Sequence, residues 1–283
     1  MLGGLRELMR PPAGLVVDFT QPVGEPALTP AHGLSWRIFA NPVSLFIGGV
    51  CAVLLELAEP SVRAGVWDHS SFRRDPLTRL RRTGFAAMVT VYGPRSAAEE
   101  MIANVVNRHS RVSGQTPDGK HYNANDQRLL EWVHATAIFG FTEAYNQYAT
   151  HLTPDEFSQA FAEGNPAARL YGATGAPRSW SEWESLLATT APGLEGSDVL
   201  TEFLDTMDDA AILPPPLRGL QRLLVRAAVE ITPEPVRSFP QLRGRGLRVG
   251  EPQLVRLLGR AAAMLPQRAF PAGQAGRRLS AAR

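Results

Sequence analysis

The chain has 283 residues, 44% of them hydrophobic, and a formal net charge of +2. That is ample apolar material for a core and excludes general disorder. The cations, 28 arginines and the single Lys120, are mixed with Asp and Glu along the chain, which argues against a nucleic-acid partner. A single cysteine, Cys51, excludes an internal disulfide and CxxC metal chemistry. Inside an apolar run it reads as an inert buried thiol.

Residues 1–41 are rich in Pro and Gly and read as an irregular N-terminal arm. Their first residues lack the charged leader, long apolar stretch and small-residue cleavage site of a signal peptide. LVVDF (15–19) is the one strand candidate. Pro42 opens a helix through about Ala58, carrying the most apolar stretch of the chain, Val43 to Leu55, which Glu56 ends. That stretch is shorter than the roughly 18–20 residues a membrane span needs. It reads as a buried core helix, and the chain as a cytoplasmic protein with no transmembrane segment, open at most to peripheral membrane contact. A short helix follows from Pro60 to Trp67. Asp75 caps and Pro76 starts the next, running to about Tyr92 before Gly93-Pro94.

Ser96 and Glu99 have the spacing of a capping box. The helix they open carries Met101, Ile102, Val105, Val106, His109 and Val112 at three- and four-residue intervals, so His109 shares the apolar face. Gly114 stops it, and QTPDGKHYNAND reads as a loop turning at Asp118-Gly119. Leu129 to Tyr148 is a long helix with an apolar stripe of Leu130, Val133, Ala137, Ile138 and Phe141, and His134 lies on the same stripe. Thr153 and Glu156 give a second capping box, opening a helix through Ala162. Shorter helices follow: Ser179–Ala188, anchored by Trp180 and Trp183, then Ser197–Asp209, Pro216–Ile231 and Glu251–Met264. Residues 266–283 read as a basic, frayed tail. The expectation is an all-α protein, a single multi-helix domain over residues 42–265 that encloses a pocket.

Two histidines facing inward on neighbouring helices are the chemical signal. One such residue is ordinarily a core histidine with a satisfied hydrogen bond. Two are harder to account for, because burying imidazole without a partner is costly and imidazole is the commonest iron ligand in haem proteins. Arg79, Arg82 and Thr83 share one face of the preceding helix, where they can grip an anion or polarise a bound species. By spacing alone the same face reads first as a solvated basic surface. The block Asp68 to Pro76, with His69, is either a polar lid or an ordinary inter-helix turn. No HExxH, Walker loop, GxSxG elbow or strand-borne GxGxxG occurs, which removes the commonest zinc-protease, nucleotide and hydrolase readings.

Four short motifs occur in order: DHSSFRRDPL (68–77), Arg79-x-x-Arg82-Thr83, His109-x-x-Val112-x-Gly114, and Trp132-Val-His-Ala-Thr136. With the sequence around them, over roughly residues 44–240, they resemble the MpaB-type oxygenase family, which shares its catalytic domain with the latex-clearing rubber oxygenases. The resemblance implies an all-α fold, haem b (iron) as cofactor, and dioxygen with a hydrophobic small-molecule substrate of isoprenoid or lipid kind. It implies His109 as the proximal iron ligand, with His134 a second pocket histidine and the reserve ligand. Arg79 and Thr83 correspond to the distal arginine and threonine, and His69 to a polar neighbour of the cofactor. The latex-clearing proteins carry a lysine where this chain has Arg82. Arginine keeps its charge and is a poor iron ligand, so the distal position here is expected to be open or water-bound. The rival reading is a non-catalytic helical module that binds haem or lipid.

Overall fold

The computed structural model describes residues 16–69, 72 and 74–281. Its α-helices run in the order α1 (Leu34–Phe39), α2 (Pro42–Ala58), α3 (Pro60–His69), α4 (Pro76–Tyr92), α5 (Arg95–His109), α6 (Gln127–Tyr148), α7 (Pro154–Tyr171), α8 (Trp180–Thr190), α9 (Asp198–Asp209), α10 (Arg218–Ile231), α11 (Glu251–Ala263) and α12 (Pro271–Ser280). A two-stranded antiparallel hairpin, β1 (Ser113–Gln115) and β2 (His121–Asn123), separates α5 from α6. The protein is all-α apart from that hairpin.

Helix α2 is the axis of the fold. Its apolar residues recur on every side, and Ile47, Cys51, Leu54 and Leu55 are fully buried, as expected of a helix surrounded by others. It crosses α6 at a pair of glycines. A Cβ on Gly48 would lie 2.6 Å from the Phe141 Cα, and one on Gly140 would run into the Gly48 carbonyl oxygen. The two backbones approach as closely as only glycine permits. Around this crossing the side chains form two clusters, one about Leu54, Trp132 and Phe203 and the other about Trp36, Tyr92 and Ile102; Ile138 and Trp180 touch both, so the core is continuous. Trp183 stacks between Trp132 and Phe139, with ring centroids 5.8 and 4.8 Å away.

The caps explain where the helices start. The Asn41 side chain accepts from the Val43 and Ser44 amides and donates to the Gly259 carbonyl at 2.8 Å, tying α2 to α11. Buried Glu59 accepts from the Val62 amide and from Arg128, joining α3 to α6. Asp75 caps α4, and Thr153 and Glu156 form the expected capping box on α7. Buried Glu163 accepts from the Leu34 and Ser35 amides, so a side chain of α7 caps α1 from 129 and 128 residues away.

Several expectations are corrected. The N-terminal arm ends in a helix, α1, and Val16–Phe19 forms no strand; Leu15 and the rest of 1–15 lie outside the described residues. Ser96 forms no cap box with Glu99: the N-cap of α5 is Pro94, and Ser96 bonds Glu25 through both its amide and its hydroxyl. Helix α5 ends at His109, and the segment from Ser113 to Asn123 pairs as a hairpin. Helix α7 continues past Ala162 to Tyr171, with Pro166 inside it. The tail is not frayed over 271–280: it forms α12, and Arg278 is buried. Its guanidinium donates to the carbonyls of Phe19, Glu25 and Tyr92 at 2.8–2.9 Å. Three carbonyls from two distant segments fix an arginine that composition alone marks as solvated.

Among the described residues no single helix is long and apolar enough to cross a membrane. The pair α2 and α3 passes a length and composition test only when taken together, with a 108° bend between them. The burial of α2 accounts for its hydropathy.

Candidate functional site

Four elements contribute to the site. Helix α2 presents Glu56 near its end, α4 presents Arg79, α5 ends on His109, and α6 carries His134. Arg79 and Glu56 feel each other's charge, and His109 feels that of Arg79. The Arg79 guanidinium is lowered from its ordinary value, first by burial and also by Arg82, while Glu56 opposes the shift. Burial pushes the Glu56 carboxyl up to about 7 against the pull of Arg79. Burial, then the Arg79 charge, lowers His109 and keeps its imidazole neutral. Among the described residues no direct hydrogen bond or ion pair joins the three, so they are held as neighbours without being spent on one another.

His134 is the more enclosed imidazole, and burial alone pushes it down to about 4. It faces Gly164 on α7, where a Cβ would stand 3.1 Å from the His134 Nε2 and 2.7 Å from the Ile138 Cδ1. The ring and Ile138 pack directly on the glycine backbone, where a side chain has no room. His109 Nδ1, His134 Nε2 and Asn165 Nδ2 are all buried without a hydrogen-bond partner. Buried polar atoms are nearly always paired, and two orphaned imidazole nitrogens are what a haem pocket leaves when only its protein side is considered. The side chains are of the kind that group needs: a neutral imidazole nitrogen for an iron, on His109 or His134, and the half-buried Arg79 guanidinium for its acidic side chains. Among the described residues no cluster of three or more His, Cys, Asp or Glu could hold a bare metal ion.

The other expected site residues lie differently. Arg82 and Thr83 are exposed on α4, and only Arg79 of that face turns into the protein. His69, exposed at the end of α3, bonds the Tyr122 hydroxyl of β2 at 3.1 Å. The lid block is only partly described, since Ser70, Ser71 and Arg73 lie outside the described residues; Phe72 within it is buried and stacks near Phe203. Glu56, Gly164 and Asn165 went unnoticed in the sequence. Glu56 had one signal, a carboxylate ending a long apolar run without leaving the helix.

The chain is thus a helical domain with two inward imidazoles, a half-buried arginine and apolar packing around them. Residues 36–264 match the family described as ER-bound oxygenase mpaB/B′/rubber oxygenase, catalytic domain, and the chain belongs to that family. No curated protein and no solved structure matches it.

Proposed function

We propose that the protein is a haem b-dependent oxygenase of a hydrophobic alkene, in which His109 would hold the iron. Membership of an oxygenase family supports the reaction class. The observation that carries the cofactor is the pair of buried imidazole nitrogens without partners, on His134 and on His109, the latter within reach of the Arg79 charge. Bound haem supplies a redox-active iron through which dioxygen is turned against a carbon–carbon double bond.

The chain's own residues do the rest. His109 is kept neutral by burial and by Arg79, which leaves a nitrogen lone pair free for a metal. Arg79 is a fixed cation in a desolvated place, suited to the haem carboxylates or to charge that develops during reaction. Glu56, at about 7, holds or releases a proton near neutral pH, as a general acid–base group must. His134, neutral and enclosed beside Gly164, lines the pocket without carrying charge into it. Arg82 and Thr83 stand at its exposed margin, and the apolar walls exclude water and favour an isoprenoid or lipid chain.

The test is an absorption spectrum of protein produced with an ample haem supply. A Soret band is expected; it is lost or shifted in His109→Ala and retained in His134→Ala. Protein that stays colourless and fails to take up added hemin refutes the cofactor. Oxygen uptake with isoprenoid alkenes under reducing conditions separates an oxygenase from a haem-binding module, which consumes none.

A further inference from the structure

Helix α11 carries an outward apolar stripe that the oxygenase reading does not use. Four of the seven large hydrophobic residues exposed among the described residues fall in one short segment: Val249, Leu254, Leu257 and Met264. Leu257 is 65% and Met264 80% exposed, and Val249, in the turn before the helix, is wholly so. Residues 254, 257, 261 and 264 follow the helical repeat and line one side, with Ala261 also exposed. The opposite side, Val255, Gly259 and Ala262, is buried. Gly259 is pressed so tightly on the Tyr148 carbonyl of α6 that a Cβ would overlap it, and Asn41 bonds the Gly259 carbonyl from behind. The helix is pinned in one rotation, so the stripe faces outward by construction.

The charge around it is one-sided. Residues 243–278 hold eight arginines and a single acid, Glu251. That acid is already bonded by Arg226 of α10, whose Nε lies 2.9 Å away. Arg243, Arg256, Arg260 and Arg268 are exposed and form no ion pair among the described residues. On the helix surface Arg260 lies one turn from both Leu257 and Met264, and Arg256 one turn before Arg260.

We propose that the outer face of α11, with the Val249 turn, docks on an anionic lipid bilayer. Exposed Leu, Val and Met set beside arginines that no carboxylate neutralises make the pattern of a helix lying in the headgroup plane: apolar side chains enter the acyl boundary while guanidinium groups stay with lipid phosphates. A face-to-face second copy fits worse, because it would bring two rows of arginine together. The docking does not rest on haem or on the oxygenase reading.

The test is flotation of the full chain with unilamellar vesicles, either pure phosphatidylcholine or containing about one-third phosphatidylserine. The protein is expected to float with the anionic vesicles, weakly with neutral ones, and to be released by high salt. Arg256→Gln with Arg260→Gln is expected to lower vesicle affinity by about tenfold or more. Leu257→Glu with Met264→Glu is expected to abolish binding, with an unchanged thermal midpoint because both positions are exposed. Equal flotation on neutral vesicles, none on anionic ones, or unaltered binding by the Glu variant overturns the proposal. So does a lipid-free oligomer that the Glu variant dissolves, which assigns the stripe to a second copy.

Discussion

Two buried groups at the candidate site give opposite pH signatures. His134 falls to about 4 in the folded protein against an ordinary 6.5, so it contributes stability that is whole above pH 6.5 and lost as pH falls through 4. Removing it as His134→Phe in haem-free protein is expected to flatten that limb of a denaturation series, a difference of about 3 kcal/mol at pH 4. Glu56 is raised to about 7, so its contribution is whole below about 4.5 and lost as pH climbs through 7. Glu56→Gln is expected to make the protein more stable at pH 8 than the parent and no less so at pH 4. If Glu56 handles a proton, the same variant also removes an inflection near pH 7 from the rate profile of oxygen uptake, and a profile unchanged by it dismisses that role. The inward turn of both histidines was readable from their place in the apolar stripes. Glu56 was not, because a carboxylate in a helix is ordinarily solvated, and only the packing of α4 over it places Arg79 nearby and water away.

The helices themselves were largely foreseeable, since Pro42, Asp75-Pro76 and Thr153 to Glu156 mark their starts in ways local to the chain. The failures came where a distant residue took over. Ser96 looks like a cap, yet it is claimed by Glu25 from 71 residues away. Beyond Ala162, where α7 continues, Glu163 caps α1, a contact no local pattern announces. The crossing of α2 on α6 was equally hidden, because Gly48 and Gly140 inside helices read as mild weaknesses. There the preference of a helix for alanine, about 1 kcal/mol, is opposed by backbone in the way. Gly48→Ala and Gly140→Ala are therefore expected to lower stability by about 2–4 kcal/mol each, whereas Gly84→Ala on α4, with open space around it, is expected to be neutral or stabilising. A melting series on the three variants checks this, and similar losses in all three would remove the close crossing from the account.

At the scale of the whole molecule, the fold class and the family were legible, because four ordered motifs and a helical repeat survive in any register of reading. The one-sided charge of residues 243–278 was missed, because arginine averaged over 283 residues looks evenly spread and only the burial of Val255 and Gly259 shows which way α11 turns. Arg278 shows the same limit. Replacing it with Met is expected to cost about 2–4 kcal/mol, since three carbonyls lose their donors at once, and Arg278→Lys is expected to recover little, because an ammonium cannot fan out to three separate oxygens. Urea titration of the two variants measures both. The clasp also joins residues 253 apart in sequence, with the Gly24 amide returning a bond to the Arg278 carbonyl at 2.8 Å. Neither segment can peel away alone. The stretch from Phe19 to Glu25 and helix α12 open as one unit, so a protease that nicks either should loosen its counterpart, and their amides should exchange with deuterium at a common rate.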